Sequence, residues 1–232
     1  MTLKSKLAGK FIVFDGPDGS GKSTQIRLVA ERLRAEGLEV TTARDPGGTE
    51  IGDRLRQMLL GPELAKMDVR CETLLFMASR AQLAGEVIEP ALKAGHVVLC
   101  DRFISATCAY QGARGYDIGR IIELGRYAVG DTWPQLTLIL DVPSEEGFRR
   151  TGHRQQQAGL NSKNHDAAPG LPLSGMATDA MEARPLEYHR KVRDLFLALG
   201  PEYPGRIVVI DATPSPEQVH QSILEILERV DP

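Results

Sequence analysis

The apolar positions of this chain fall into five short runs: Phe11–Phe14, Glu39–Thr42, Val97–Cys100, Leu136–Leu140 and Ile207–Ile210. Each is nearly continuous rather than alternating, the pattern of strands covered on both faces. Between the runs the period lengthens to that of a helix. Ile26, Val29, Ala30 and Leu33 recur at helical spacing over Gly21–Glu36, and Gly37 supplies a stop. Further helices are predicted over Ile51–Leu60, Gly119–Val129, Leu186–Leu199 and Pro216–Val230. A longer one runs from about Val69 to Ala94, bent or broken near Gly85 and Pro90. Strands alternating with helices predict an α/β fold, a five-stranded parallel sheet with helices on both faces. Ligands of such sheets bind at the carboxyl ends of the strands.

The polar motifs sit at those ends. The first strand runs into Gly16-Pro17-Asp18-Gly19-Ser20-Gly21-Lys22-Ser23-Thr24 and then a helix, the order of a P-loop. Its glycines let successive N–H groups point at an anion, which also meets the positive end of the helix dipole. Lys22 adds charge for the outer phosphates, and the Ser23 hydroxyl can ligate Mg²⁺. Arg44-Asp45-Pro46-Gly47-Gly48-Thr49 follows the second strand, where Arg44 can grip phosphate or carboxylate by two bonds, or simply close a turn. Asp101 and Arg102 follow the third. Asp101 can hold Mg²⁺ or a water on it and Arg102 can clamp phosphate; a structural Asp–Arg ion pair is the alternative. Ala109-Tyr110-Gln111-Gly112 offers a base- or hydroxyl-reading amide and an aromatic wall.

Composition narrows the class. The chain has 232 residues, 42% of them hydrophobic, enough for one sizeable core. Its formal net charge of −3 creates no strong field for nucleic acid or an anionic membrane. No run approaches the ~18 apolar residues of a membrane span, and Met1–Lys6 has no signal-peptide core, so a cytoplasmic location is expected. Cys71, Cys100 and Cys108 lack metal-type spacing and read as reduced thiols. One stretch, His153 to about Thr178, is polar and poor in large apolar residues. It can bury little, so mobility is expected, as a surface insertion or as a lid excluding water from phosphoryl transfer. The chain reads as a single domain over 1–232 with this lid or insertion at about 145–184.

The P-loop, R-D-P-G-G-T, D-R-F followed by A-Y-Q-G, and Leu140-Asp141-Val142-Pro143, in this order, resemble the bacterial thymidylate kinase family. The likeness runs from about Lys10 to Arg150 and resumes near Thr178. It implies a P-loop NTPase fold with a mobile lid, and ATP- and Mg²⁺-dependent phosphorylation of dTMP to dTDP by a homodimer. It further implies that Gly16–Thr24 hold the ATP phosphates and that Asp18 meets the dTMP 3′-hydroxyl. Arg44 and Arg102 would hold the dTMP phosphate beside Pro46. Phe76 would stack on thymine and Arg80 bond its edge. Thr107 and Gln111 would meet base and sugar, Tyr110 would disfavour a 2′-hydroxyl, and Asp211-Ala212-Thr213 would lie by the adenine. Some relatives carry a catalytic arginine in the P-loop where this chain has Gly19, so the resemblance assigns it to the lid, to Arg149, Arg150 or Arg154. Departures are Ser79 before Arg80, Leu83 after it, Ala106, and Ala180 where a lid arginine is usual, with Arg184 as a substitute. Three rivals remain: a kinase of another monophosphate or a deoxynucleoside, a nucleotide binder that has lost catalysis, and a P-loop ATPase motor. For the last, Leu136–Leu140 followed by Asp141 resembles a Walker B strand, although Asp101 accounts for the metal as well.

Overall fold

The structure is a computed structural model that describes residues 3–61, 64, 66–161, 184–200 and 203–230. A short helix α1 (Leu3–Leu7) leads into β1 (Phe11–Asp15), α2 (Lys22–Ala35), β2 (Val40–Arg44), α3 (Glu50–Leu60) and α4 (Val69–Leu83). A π-helical turn (Ala84–Ile88) joins α4 to α5 (Glu89–Lys93), followed by β3 (Val97–Asp101) and α6 (Ile104–Tyr110). After a tight turn at Gly112–Arg114 come α7 (Ile118–Val129), β4 (Leu136–Asp141), α8 (Ser144–Asn161), α9 (Leu186–Ala198), β5 (Arg206–Asp211) and α10 (Pro216–Leu227).

All five strands are parallel, in the order β2-β3-β1-β4-β5. The chain therefore winds to one side of β1 and then the other, which opens a crevice above the carboxyl end of β1. β1, β3, β4 and β5 all end in aspartate, at Asp15, Asp101, Asp141 and Asp211, and β2 ends at Arg44. The sheet thus presents its charge along the edge where the crevice opens.

The apolar runs divide by parity. Phe11 and Val13 join one core with residues of α4, α6, α7 and α9, while Ile12 and Phe14 join another with residues of α2 and α10. Burial on both faces explains why these strands lack alternation. β2 and β5, at the edges, are only partly covered, contrary to the expectation from their sequence. The α2 stop forms as predicted: Gly37, at φ +77°, donates to Arg34, and Leu38 donates back to Leu33.

The long helix is bent rather than broken. Pro90 has no N–H for the preceding turn and its ring crowds the carbonyl there, and the wider π turn absorbs the misfit. Two helices differ from the sequence reading. α6 is buried at all seven positions, so it shows no amphipathic period. α8 continues to Asn161, so the segment expected to turn irregular at His153 begins as helix; the rest of the expected lid, 162–183, lies outside the described residues. No described helix is long and apolar enough to cross a membrane.

Candidate active site

The P-loop curls directly off β1. Gly16 (φ +127°) passes so close to β4 that a Cβ would stand 2.4 Å from the Leu140 carbonyl oxygen. Gly19 (φ +78°) meets the backbone of α8, where its Cβ would lie 2.4 Å from the Gly147 oxygen. A side chain at position 19, arginine included, has no room. The Ser20 N–H donates to Pro17 O at 3.3 Å, closing the turn. The Lys22 ammonium donates to Gly16 O at 3.1 Å and Pro17 O at 2.9 Å, so it is folded back into the loop. Burial, and then the Arg102 charge, push it down to about 8 against the pull of Asp18, Asp101 and Asp15.

Ser23 and Asp101 meet across the crevice: the Ser23 hydroxyl donates to Asp101 Oδ2 at 2.9 Å. Both are hard oxygen donors, as Mg²⁺ requires, and a site of one or two protein oxygens completed by phosphate is the usual Mg²⁺ arrangement. The described residues hold no cluster of three or more His, Cys, Asp or Glu side chains for a metal. Arg102 does not pair with Asp101. Its backbone is left-handed (φ 69°), which turns the guanidinium over the P-loop. There it donates to Gly16 O at 3.2 Å, Tyr110 Oη at 3.2 Å and Asp18, and lies 4.9 Å over the Tyr110 ring. The Tyr110 hydroxyl donates in turn to Asp18 at 2.7 Å. Burial would raise the Asp18 carboxyl, but the Arg102 and Lys22 charges and the Tyr110 bond outweigh it and hold it below its usual value.

A cleft of about 270 Å³ joins these groups to the second set of predicted residues. Asp18, Gly19, Gly21, Lys22, Ser23, Arg44, Pro46, Phe76, Arg80, Asp101, Arg102, Thr107, Tyr110 and Gln111 line it. Gly16, Pro17, Ser20 and Thr24 support the loop outside that lining. Phe76 is buried yet belongs to neither core cluster, so its ring serves the cleft. Arg80 is wholly buried and largely engaged: it donates from Nε to Asp45 at 2.9 Å, and from Nη2 to Phe103 O at 3.1 Å and Thr107 Oγ1 at 3.2 Å. Arg44 is exposed at the cleft wall, with no ion pair among the described residues.

The remaining candidates lie on another wall. Asp211 accepts from the Thr213 N–H at 2.9 Å and hydroxyl at 2.6 Å, which hold it below its usual value. Arg150 ties this turn to α8, donating to Ala212 O at 3.0 Å and Thr213 O at 3.3 Å. Arg149 pairs with Glu146 and is otherwise exposed. Arg154 lies on α8 by its backbone; its side chain is outside the described residues. Asp211, Ala212 and Thr213 do not line the cleft themselves.

Comparison with known proteins gives this geometry a family. The family model described as thymidylate kinase matches residues 14–169, more than half of the chain. A thymidylate kinase of Pelotomaculum thermopropionicum is 41% identical over 97% of this chain and 95% of its own length. One of Pseudomonas fluorescens is 40% identical over 97% of both chains, and one of Bacillus velezensis 36% identical over 95% of this chain and 96% of its own. The chain belongs to the thymidylate kinase family.

As a thymidylate kinase it absorbs its departures locally. Ser79 accepts from the Gly47 N–H at 3.2 Å, and Leu83 is core. Beside Ala106, Ser105 donates to Asp15 at 2.6 Å. Arg184, offered as a substitute for the lid arginine, is held 3.6 Å from Glu72 and 4.6 Å over the Tyr188 ring and does not line the cleft. Asp141 is bound by Arg193 Nε at 2.7 Å and Nη2 at 2.8 Å, a structural ion pair. Sequence reasoning missed Asp15, Asp45, Arg56, Glu72 and Gly147. Arg56 donates to Pro46 O at 2.8 Å in the cleft wall. These act through contacts between distant segments; Asp45 stands within R-D-P-G-G-T, but nothing local to the motif gives its pairing with Arg80.

Proposed function

We propose that this kinase transfers the γ-phosphoryl group of ATP to dTMP, giving dTDP, with the residues just described as its machinery. The observation that carries the reading is one cleft with two cation sets, Lys22 in the P-loop and Arg44 with Arg102 at neighbouring strand ends. A monophosphate on the arginines would lie opposite a triphosphate on the loop, so a dTMP phosphate oxygen attacks the γ-phosphorus in line and ADP leaves. No covalent enzyme intermediate is needed, because positioning and charge neutralisation suffice.

Gly16–Thr24 would carry the ATP phosphates, and Ser23 with Asp101 would hold Mg²⁺, which when bound neutralises charge on the β- and γ-phosphates. Asp18, fixed by Arg102 and Tyr110, would accept from the dTMP 3′-hydroxyl, and the Tyr110 ring would crowd a 2′-hydroxyl. Phe76 would stack on the base, with Arg80, Thr107 and Gln111 at its edge and Pro46 beneath. Arg150 would serve the adenine side with Asp211–Thr213, leaving Arg149 or Arg154 to reach the γ-phosphoryl when the chain after α8 closes as a lid. The reading includes a homodimer, for which the exposed Ile51, Met58 and Leu74 of α3 and α4 offer apolar surface.

The test is ADP release with ATP–Mg²⁺ and dTMP, dUMP, dGMP or dCMP in turn. Release fastest with dTMP is expected. ATP binding without dTMP-dependent ADP release would overturn the reading.

A further inference from the structure

Glu72 is a fully buried carboxylate on α4 that the phosphate chemistry does not use. Three side chains converge on it. Gln111 donates from Nε2 to its Oε1 at 2.7 Å, Arg114 donates to Oε2, and the Arg184 guanidinium lies 3.6 Å from that same oxygen. A carboxylate facing two guanidinium groups only accepts, so the Gln111 amide must turn its NH₂ toward it. That settles the other end of the amide. Gln111 is almost wholly buried yet lines the cleft, and among the described residues no group donates to its oxygen. The oxygen is therefore an acceptor available to a ligand.

Arg80 lines the same wall; its Nε and Nη2 hydrogens go to Asp45, Phe103 O and Thr107 and one Nη1 hydrogen to Met77 Sδ, which leaves one Nη1 N–H with no acceptor among the described residues. That wall thus offers one guanidinium N–H and an amide acceptor. A donor next to an acceptor complements a C=O next to an N–H, the edge of a 4-keto pyrimidine. Cytosine places an amino donor and a ring-nitrogen acceptor there, the reverse order.

Resting on the dTMP kinase reading, we infer that Glu72 is a positioning residue: it locks the Gln111 amide with its oxygen toward the substrate base and so selects keto over amino pyrimidines. Without the carboxylate the amide can turn over and present its NH₂ to the cytosine nitrogen.

The experiment measures kcat/KM for dTMP and dCMP with ATP–Mg²⁺ in the full chain. Absence of dTMP turnover in the wild type defeats the kinase reading itself, and this inference with it. Given that turnover, Glu72→Gln is expected to lower the dTMP/dCMP selectivity by about tenfold or more, mainly through the dTMP KM, with the ATP KM unchanged. In a Gln111→Leu background, adding Glu72→Gln costs no further selectivity, whereas a purely structural Glu72 would cost the same in both backgrounds. Wild-type selectivity in folded Glu72→Gln overturns the inference while leaving the kinase reading intact. If Glu72→Gln does not fold, Glu72→Asp, whose shorter carboxylate withdraws from the amide, takes its place: selectivity reduced about tenfold with no further loss in the Gln111→Leu background supports the inference, and unchanged selectivity overturns it.

Discussion

The Ser23 hydroxyl donates to the Asp101 carboxylate at 2.9 Å across 78 positions of sequence. The bond joins the first turn of α2 to the end of β3, and parallel pairing of β1 with β3 brings those two points together. If the pair holds Mg²⁺, Asp101→Asn should cut kcat about 10–100-fold and raise the Mg²⁺ concentration needed for half-maximal rate. Chelation of Mg²⁺ should abolish turnover in both proteins. A Mg²⁺ titration superimposable on the wild type would exclude Asp101 from the site.

Arg102 is bent back over the loop at φ 69° and shared between Asp18 and Tyr110. Arg102→Ala should lower kcat/KM for dTMP by at least about a hundredfold. Arg102→Lys should recover little, because an ammonium lacks the planar fork that reaches several partners at once. Steady-state kinetics with near-wild-type dTMP turnover in the alanine variant would sink the phosphate-clamp role.

Lys22 carries a pH signature. Its value near 8 lies below the free-lysine 10.5, so the folded chain loses this proton before the unfolded chain does. The cost of burying the ammonium is fully present below pH 8 and fades as pH rises toward 10.5, so this group alone makes stability rise across that window. Phosphate binding favours the charged form. The ATP Kd should therefore climb as pH rises through 8, by up to about tenfold per pH unit. Lys22→Met should bind ATP more weakly and lose that climb. Calorimetry showing a flat wild-type profile would argue against Lys22 as a phosphate ligand.

Arg149 and Arg150 share Glu146 but diverge beyond it, since Arg150 also donates to the carbonyls after β5. Arg150→Ala should raise the ATP KM with a modest change in kcat. Of Arg149→Ala and Arg154→Ala, one should lower kcat far more than it raises the dTMP KM. If kcat is unchanged in all three, the catalytic arginine lies elsewhere.

Gly19 and Gly21 both adopt positive φ, but only Gly19 faces a backbone atom 2.4 Å from its missing Cβ; nothing lies within 4 Å of the one at Gly21. Gly19→Ala should therefore cost about 2 kcal/mol more than Gly21→Ala in urea denaturation. Equal losses would mean that the loop yields freely against α8.

The strand–helix alternation, the P-loop and the partners at neighbouring strand ends were legible in the chain because each is local. Periodicity reports which faces are covered, and glycines mark where the backbone must turn. Ser23 and Asp101 could each be named in advance, one beside the P-loop lysine and the other at the end of β3; the bond between them is read only from the structure. α6 was missed because full burial erases the period, and the extension of α8 beyond His153 because its polar composition was read as irregular. Glu72, Asp45 and Gly147 depended on the fold alone. A carboxylate on a helix reads as solvated until its neighbours are known, yet the fold buries Glu72 against two arginines and a glutamine and sets Asp45 against Arg80. The neutrality of position 19 was visible in the chain; its cause, the α8 backbone pressed onto the loop at Gly147, exists only once segments far apart in sequence are packed within van der Waals range.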